Sequence, residues 1–326
     1  MAIKDQYKKI SKMNIGETVE GRPVLILSME EKPQVNGNTY IQFIVSDGYG
    51  KHDIKAFNTS ISSLQNVARG DVADMTITVQ DFKGNKSLKA DNIMPTRTAA
   101  TPADFLPMAP IDAAAVFDQI TGFLQQVSDA DTRDFTSIAD LSRSLLMENR
   151  EAFIHSSAAK AMHHDVIGGL VYHTVRMLNT AAALCNVYKT LDKPLLLAAV
   201  AIHDLAKIRE METSDDGDVT YTIEGHLMGH LYMGAEMVND YANRNPGKYD
   251  PEKVMLLKHM ILSHHLNPEW GAVKGPATAE AQMLHYVDQI DAKMYVYENR
   301  FDDLEEGTMT DKVPFGLENH VYKPKR

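Results

Sequence analysis

The first third of the chain alternates apolar and polar residues with a period of two, and this alternation predicts β-strands. Residues 37–57, GNTYIQFIVSDGYGKHDIKAF, form two such runs around DGYG, which is a β-hairpin signal. Residues 71–93 repeat the pattern around KGNK, and a long apolar run in residues 18–32 precedes both hairpins. Together they predict five short strands that close into a small barrel, with a short helical piece near residues 60–67.

After the barrel pattern ends, apolar residues recur at spacings of three and four, which predicts helices with no strands between them. The segment that separates the two patterns, residues 94–110, contains four prolines among small residues and is typical of a linker or an extended strap. The predicted helices cover residues 112–127, 137–154, 167–189, 194–209, 226–243, 251–265 and 277–300.

A chain of 326 residues is long enough to form two hydrophobic cores. We therefore predict a multi-domain α+β protein with four parts. These are a five-stranded β-barrel domain in residues 1–95, a linker in 96–111, an all-α domain in 112–305 and an extended tail in 306–326.

Charge is distributed unevenly between these parts. The net charge is −11, but residues 1–97 hold 13 Lys and Arg against 11 Asp and Glu. The whole chain is too acidic to resemble a typical nucleic-acid binder, whereas a neutral-to-basic module within it can still bind a polyanion. The single cysteine, Cys185, and the lack of a signal-peptide pattern or a long apolar run predict a cytoplasmic protein without a membrane partner.

Histidines are concentrated in the helical part, where eleven of the thirteen lie between His155 and His285. Such clustering indicates metal binding or acid–base chemistry. Imidazoles and carboxylates together suit Mn²⁺, Fe²⁺, Co²⁺, Ni²⁺ or Zn²⁺. The candidates outnumber the four ligands of a tetrahedral zinc site, so they fit two ions that share a carboxylate better. The candidate ligands are His173, His203, Asp204, His230, His264, His265 and Asp288.

The stretch LAAVAIHDLAKIRE, residues 197–210, places charged and polar groups in an apolar helical run. Burying such groups without partners costs several kcal/mol, and a bound metal would satisfy both His203 and Asp204. Asp204 is the candidate for the bridging carboxylate. Its neighbour His203 can bind one ion, while the two oxygens of Asp204 can contact both ions. Lys207 lies on the same side of the helix as His203, where it can reach an anionic oxygen near the metals. The alternative is a solvated lysine on the flank of the helix.

The order H…HD…H…HH…D over about 115 helical residues resembles the HD-domain phosphohydrolase superfamily. That resemblance implies an all-helical domain that binds one or two divalent metals and cleaves phosphoester bonds. The resemblance identifies the five predicted strands as an OB-type barrel. After the barrel, the chain contains the matching segments HHDVIGGLVYHT, YTIEGHLMGH, MILSHH and EAQMLHYVDQIDA. This arrangement resembles the YhaM-type 3′→5′ exoribonucleases. One departure is HDLAK, where many relatives have glycine before the lysine.

The resemblance also implies site roles. His173, His203, Asp204, His230, His264, His265 and Asp288 correspond to the metal-binding positions of the family. Adjacent helical residues point about 100° apart, so the sequence leaves open which of His264 and His265 binds directly. Asp291 follows Asp288 by one turn and is either a further ligand or a structural residue. Mn²⁺ is the preferred ion, with Co²⁺, Fe²⁺, Ni²⁺, Mg²⁺ and Zn²⁺ as alternatives, and one or two ions are compatible with the sequence.

Further candidates lie outside this set. His163 and His164 precede the first ligand, and we select His164, with Asp204 and Lys207, as a catalytic candidate that contacts phosphate or protonates the leaving oxygen. In the barrel, alternation places Ile41, Phe43 and Val45 inside. The outward face then offers candidate contacts for a single strand, through stacking on aromatic rings and phosphate binding by lysines. These contacts are Tyr40, Lys55, Phe57 and Lys86.

The features together favour a metal-dependent 3′→5′ exoribonuclease that degrades single-stranded RNA to nucleoside 5′-monophosphates. Single-stranded DNA stays open as a substrate, because 2′-hydroxyl contacts cannot be placed from sequence. One alternative is a phosphohydrolase of small or cyclic nucleotides, and a second is a single-strand binding protein with an inert helical domain. The sequence lacks the phosphate-binding motifs of ATP and NAD sites. A homo-oligomer is compatible with it.

Overall fold

The computed structural model describes residues 3–34, 37–82, 85–106, 108–158, 166–214 and 219–325. Its N-terminal part is a closed barrel with the strand order β1-β2-β3-β5-β4, in which β4 returns to pair with β1. This order is that of the OB-type barrel, so the predicted N-terminal fold is confirmed. The strands are β1 (Thr18–Pro33), β2 (Thr39–Ser46), β3 (Lys51–Phe57), β4 (Val72–Phe82) and β5 (Asn85–Pro95).

The interior of the barrel follows the alternation of the sequence. Ile41, Phe43 and Val45 are fully buried, as is Ile54 on the neighbouring strand. Three irregularities in register, two along β1 and one in β5, bend the sheet so that it can close. The helical piece predicted near residues 60–67 is a short 3₁₀ helix, Ile61–Ser63.

A buried ion pair within the barrel also holds the N-terminal segment through Ile10. Arg22 and Asp47 are each 1% exposed, and Nη2 of Arg22 lies 3.0 Å from Oδ2 of Asp47. The same carboxylate accepts hydrogen bonds from the backbone N–H groups of Ile10 at 2.9 Å and Tyr49 at 3.1 Å. Burial raises the pKa of Asp47, but His52, the Ile10 N–H and Arg22 outweigh it and lower this pKa to about 2. Asp47 therefore stays charged inside the protein at neutral pH.

We expect Asp47→Asn to lower the free energy of unfolding of the barrel by about 3–5 kcal/mol, because it leaves Arg22 buried without its counter-charge. Denaturant titration measures this change, and Asp53→Asn, on an exposed position of β3, is the matched control. The folded pKa lies below the ordinary 3.8. The contribution of Asp47 is therefore present above about pH 4 and is lost as the pH falls toward 2. Equal stability of the two variants would contradict this role.

The C-terminal part is helical, as predicted. Its helices are α1 (Ala113–Asp129), α2 (Ile138–Glu148), α3 (Arg150–His155), α4 (Gly169–Val187), α5 (Lys193–Ile202), α6 (Lys207–Glu210), α7 (Ile223–Arg244), α8 (Pro251–Ser263) and α9 (Ala279–Asp303). Within the described residues, no helix combines the length and apolarity needed to cross a bilayer.

Helix α5 forms the centre of this domain. Asp192 starts the helix by accepting a hydrogen bond from the N–H of Leu195 at 3.1 Å. Every residue from Leu195 to Ile202 is at most 2% exposed, and a helix that is apolar on all sides packs in the middle of a domain. Its C-terminal end consequently brings His203 and Asp204 into the interior.

Three local predictions about the helical part were wrong. Helix 194–209 breaks after Ile202, where residues 203–206 form a turn, and helix 137–154 divides at Asn149. A small antiparallel pair, β6 (Met211–Thr213) with β7 (Val219–Tyr221), interrupts the helices where no strand was expected. Strands of three residues are too short to show a period of two, so the pattern could not reveal them.

The proline-containing segment is a strap that contacts both parts of the chain. Phe105 is 1% exposed and packs with Leu25, Leu27 and Val72 of the barrel. A few residues later, the N–H of Ala109 donates to the carbonyl of Ile167, just before α4.

The C-terminal tail folds back after α9. Nζ of Lys323 donates to the carbonyl oxygens of Phe301 at 2.6 Å and Leu304 at 2.9 Å, which satisfies acceptors at the end of that helix. An isolated antiparallel bridge joins Met309 to Tyr322. The tail therefore doubles back on itself, and it is attached to the helix that carries Asp288.

Candidate metal centre

Two helix C-termini meet at a cluster of buried histidines. Helix α5 ends just before His203, and α8 ends just before His264. Each imidazole donates from Nδ1 to a carbonyl of its own last turn, His203 to Val200 at 2.9 Å and His264 to Ile261 at 2.8 Å. This hydrogen bond fixes the ring and leaves Nε2 as the lone-pair atom. The negative ends of both helix dipoles also favour a cation here.

Asp204 lies at the centre of the cluster, and its two oxygens face different histidines. Its Oδ2 lies 3.3 Å from Nε2 of His203 and 4.0 Å from Nε2 of His173. Its Oδ1 lies 3.4 Å from Nε2 of His230 and 3.7 Å from Nε2 of His264. A carboxylate placed in this way can bridge two cations, one on each side.

His173 is oriented by a chain of charged groups. Its Nδ1 lies 2.7 Å from Oδ2 of Asp291, and Asp291 is in turn bonded to Nε of Arg176. On the other side of the ring, Nε2 lies 3.4 Å from Oδ1 of Asp288. Burial lowers the pKa of His173, but Asp288 and Asp291 outweigh it and raise this pKa to about 9. The surroundings of this ring therefore strongly favour positive charge.

A glycine sets the position of His230. Helix α7 is interrupted at Gly229, whose φ of 70° lies in the left-handed region that favours glycine. This kink lets the backbone N–H of His230 donate to Oε1 of Glu210 at 3.0 Å, while Nδ1 of the same ring lies 2.9 Å from the carboxylate. Gly225, one turn earlier, packs so closely that an added Cβ would lie 2.1 Å from the carbonyl oxygen of Glu210.

Both members of the HH pair lie at the cluster. The ring centroids of His264 and His265 are 4.4 Å apart, and that of His265 is 5.1 Å from that of His230. Nδ1 of His265 lies 2.6 Å from the carbonyl oxygen of Trp270, so the loop after α8 fixes this ring. The turn at the end of the helix brings both side chains to one place, which a continuous helix would not do.

Burial keeps most of these imidazoles neutral. It lowers the pKa of His230 and of His264, and together with His264 it lowers the pKa of His265 to about 4. For Asp204, burial raises the pKa, but Lys207 and His203 outweigh it and hold the pKa well below 3.8. Neutral imidazoles around an ionised carboxylate are the protonation states that metal binding requires.

Lys207 is placed against the central carboxylate, although the turn at 203–206 replaces the predicted helix. Its Nζ lies 2.7 Å from Oδ2 of Asp204. Burial lowers the pKa of Lys207, but Asp204 outweighs it and raises this pKa above 10.5. The ammonium group therefore remains charged beside the centre.

The donor set fits divalent metal ions. Three groups of donor atoms each lie within 4.8 Å of one another: His173, His203 and Asp288; His203, Asp204 and His264; and His230, His264 and His265. Three buried atoms at the centre lack a hydrogen-bond partner among the described residues, namely Nε2 of His203, Oδ1 of Asp204 and Nε2 of His230. Such atoms are costly to bury unless an ion binds them.

The sequence did not identify the charged residues that orient the histidine rings. It did not select Glu210 or Arg176, and it left Asp291 open between ligand and structural residue. The available signals were two carboxylates, Glu210 three residues after Lys207 and Asp291 three residues after Asp288. Neither spacing shows which histidine ring the carboxylate contacts. His163 and His164, the latter a catalytic candidate, lie outside the described residues.

We expect Glu210→Gln to weaken divalent-metal binding about 10–100-fold, since an amide cannot supply the negative charge that orients His230 and makes it a stronger ligand. Titration calorimetry with Mn²⁺ measures this loss. Glu224→Gln removes the same charge from an exposed position on α7, where Glu224 pairs with Arg209, and is the matched control. Identical titrations of the two variants would contradict the positioning role of Glu210.

The barrel candidates lie on strands β2, β3 and β5. Tyr40 and Phe57 face each other across β2 and β3 with ring centroids 5.7 Å apart, and Phe57 is 38% exposed. Lys55 and Lys86 instead line a groove beside β3 and β5. Lys55 and Phe57 alternate along β3 and so lie on the same outward face of this strand. That these residues contact a single strand stays a prediction.

Comparison with known proteins gives a consistent result. Residues 170–293 match the HD domain family, and this range contains every candidate ligand. The chain is 33% identical to the 3′-5′ exoribonuclease YhaM of Bacillus subtilis over 97% of its own length and 98% of that protein. It is 32% identical to the protein of the same name from Halalkalibacterium halodurans over 95% of this chain and 94% of the relative.

A solved structure also aligns with part of the chain. The second OB-fold domain of replication protein A from Methanococcus maripaludis is 18% identical, and the alignment covers 28% of this chain and 97% of that domain with a TM-score of 0.22.

Proposed function

Because this chain belongs to the YhaM family of 3′-5′ exoribonucleases, we propose that it hydrolyses single-stranded RNA from the 3′ end and releases nucleoside 5′-monophosphates. The reaction depends on divalent metal ions held by the HD domain. Single-stranded DNA is a second substrate to be tested with the same enzyme.

The observation that carries this proposal is the position of Asp204. Its two oxygens face separate pairs of histidines at 3.3–4.0 Å, and this supports two ions that share one carboxylate. We assign His173, His203 and Asp288 to one ion and His230, His264 and His265 to the other, with Asp204 between them. Mn²⁺ is our preferred ion, since the mixed nitrogen and oxygen donors suit it.

When bound, the ions supply Lewis acidity that activates water and neutralises charge on the phosphate. The residues of the chain do the rest. Lys207 places a positive charge beside the centre, where it can stabilise a non-bridging phosphate oxygen as charge develops. Glu210 and Asp291 hold the rings of His230 and His173, and the apolar helix α5 excludes water behind Asp204. His164 remains our candidate for contact with the phosphate or the leaving oxygen.

We propose that the parts of the chain divide this work. The barrel, residues 1–95, holds the strand, and the helical domain, residues 112–305, cleaves it. Tyr40 is half-buried and Phe57 is exposed, and this ring pair is suited to stacking a base, an interaction worth about 1–3 kcal/mol. The strap in 96–111 keeps the two parts in contact.

The test is a single-stranded RNA labelled at its 5′ end, incubated with Mn²⁺, Co²⁺, Mg²⁺ or Fe²⁺ and with a chelator as control. A ladder that shortens from the 3′ end, with nucleoside 5′-monophosphates as products, supports the proposal. Hydrolysis of cyclic or mononucleotides without shortening of RNA would point to a small-nucleotide phosphohydrolase. Absence of cleavage with all four ions would overturn the proposal. Parallel reactions with DNA of the same sequence measure the preference between the two strands.

A further inference from the structure

A single tryptophan lies beside the candidate metal centre. Trp270, the only tryptophan in the chain, ends the short 3₁₀ helix Pro268–Trp270 that follows α8. Its carbonyl oxygen lies 2.6 Å from Nδ1 of His265, one of the candidate ligands. Peptide bond lengths place the Cα of Trp270 within about 5 Å of that nitrogen, and one methylene group joins the indole to this Cα. The indole therefore belongs to the immediate surroundings of the centre.

The loop that carries this indole has a fixed backbone. The N–H of Trp270 donates to the carbonyl of Asn267 at 3.0 Å, and the N–H of Val273 donates to that of Leu262 at 3.1 Å, which ties the loop back to α8. Leu266, at the start of the loop, has a φ of 67°, in the left-handed region that a leucine rarely occupies. Strained backbone of this kind is concentrated at ligand-binding and active sites.

The loop also packs against α7 next to a second candidate ligand. A Cβ built on Gly271 would lie 3.8 Å from Cδ1 of Leu231, the residue after His230. The ring centroids of His230 and His265 are 5.1 Å apart. Trp270 is therefore on the Oδ1 side of the central carboxylate, the side that faces His230.

In spite of this fixed position, the side chain of Trp270 is open to solvent. Trp270 is 57% exposed, and no other aromatic ring or cation of the described residues stacks on it. An indole is a large apolar group, so a tryptophan left exposed gives up the stability that its burial would supply. Its face stacks well on other planar π systems, and every nucleobase of an RNA strand offers such a face.

The strap joins the helical domain on the opposite side of the centre. The N–H of Ala109 donates to the carbonyl of Ile167, and His173 follows in the second turn of α4. Nε2 of His173 lies 4.0 Å from Oδ2 of Asp204, on the side away from Trp270. Since the strap also packs on the barrel, this arrangement favours a strand that passes the His173 side first and ends toward Trp270.

We propose that Trp270 stacks on the base of the 3′-terminal nucleotide while the phosphate of that nucleotide lies at the metal centre. This inference rests on the proposed function, which supplies the strand that is shortened. It assigns a base-binding position within the helical domain, separate from the strand contacts of the barrel. Because every base has a π face, stacking on Trp270 positions all four nucleotides for release.

The first test uses the fluorescence of Trp270, which reports on one position because the chain has no other tryptophan. The full chain is loaded with diamagnetic Mg²⁺ and titrated with adenosine 5′-monophosphate or with ribose 5-phosphate, which lacks the base. We expect the nucleotide to quench the emission in a saturable way and ribose 5-phosphate to leave the emission unchanged. Emission that the nucleotide leaves unchanged, or that both compounds change equally, would overturn the inference.

The second test compares two strands that differ only in their last nucleotide. Trp270→Ala should reduce kcat/KM for the first cleavage of an oligoadenylate about 5–150-fold, the range for loss of one base–aromatic stack. The same variant should leave kcat/KM unchanged for a strand whose 3′-terminal nucleotide lacks its base. Trp270→Phe, which retains a ring, should recover part of the loss. Equal losses on both strands would contradict the inference, because they would show that Trp270 only supports the loop around His265.

Tyr188→Ala is the matched control, because Tyr188 is 51% exposed and lies at the end of α4 away from His173. It should cleave both strands like the unmodified chain. Base-dependent quenching in a chain that cleaves no RNA would overturn only the proposed function. Cleavage of RNA from the 3′ end without either base-dependent effect would overturn only the role of Trp270.

Discussion

Asp204→Asn should reduce RNA hydrolysis by at least about 10³-fold and lower the number of divalent ions bound per chain. Asparagine keeps the shape of the side chain. It cannot, however, place a negatively charged oxygen beside each of the two groups of histidines that would hold the ions. Loss of Lewis-acid stabilisation amounts to several kcal/mol, and each 1.36 kcal/mol corresponds to a tenfold change in rate. Single-turnover hydrolysis of a labelled strand and metal analysis of the purified protein measure the two effects.

Asp240→Asn provides the matched control, because Asp240 is an exposed aspartate on α7 outside the candidate centre. It should keep both the ion content and the rate of the unmodified chain. An Asp204→Asn protein that binds two ions and retains more than about a tenth of the rate would contradict the bridging role. The comparison separates loss of the centre from a general effect of removing one carboxylate.

Lys207→Met should lower kcat by about 10²–10³-fold while leaving the metal content unchanged. Methionine retains the length and apolar stem of lysine but removes the charge that we assign to the non-bridging phosphate oxygen. Removal of one preorganised donor to developing charge costs this much in other enzymes. If Lys207 acts only in the transition state, kcat and kcat/KM fall together and KM stays constant.

Two comparisons define the role of Lys207 more closely. Lys258→Met is the matched control, because Lys258 is a partly buried lysine on α8 that donates to Oδ1 of Asn239 outside the centre. Lys207→Arg, which keeps a positive charge, should recover part of the lost rate. A Lys207→Met protein that loses its metal ions in parallel with its rate would indicate that the lysine only stabilises the centre.

The sequence determined those features that depend on neighbours along the chain. Alternation placed Ile41, Phe43 and Ile54 inside a barrel because a strand buries one face, and burial of that face is a local requirement. The apolar run in residues 197–202 also predicted a helix, and every residue of this run is buried. The order of imidazoles and carboxylates along the helices was also visible, so the candidate donors could be selected before the fold was known.

The spacing of apolar residues did not reveal where the backbone departs from a regular helix. The helix that ends at Ile202 stops at a turn, and beyond this turn Nζ of Lys207 lies 2.7 Å from Oδ2 of Asp204. Gly229 looked like an ordinary helical residue, yet its left-handed φ sets the position of His230. These departures are decided by packing and hydrogen bonding between elements, which override the average helical preference of the sequence.

Only the tertiary structure decided which groups meet across large separations. The pairs that orient the site join His173 to Asp291, 118 residues apart, and His230 to Glu210, 20 residues apart. Lys312 reaches a barrel groove formed more than 200 residues earlier in the chain. Periodicity specifies which face of an element is buried, but the partner of a side chain depends on how helices and strands pack in three dimensions. The sequence therefore supplied the donors and the barrel, and packing supplied the distances that make them a site.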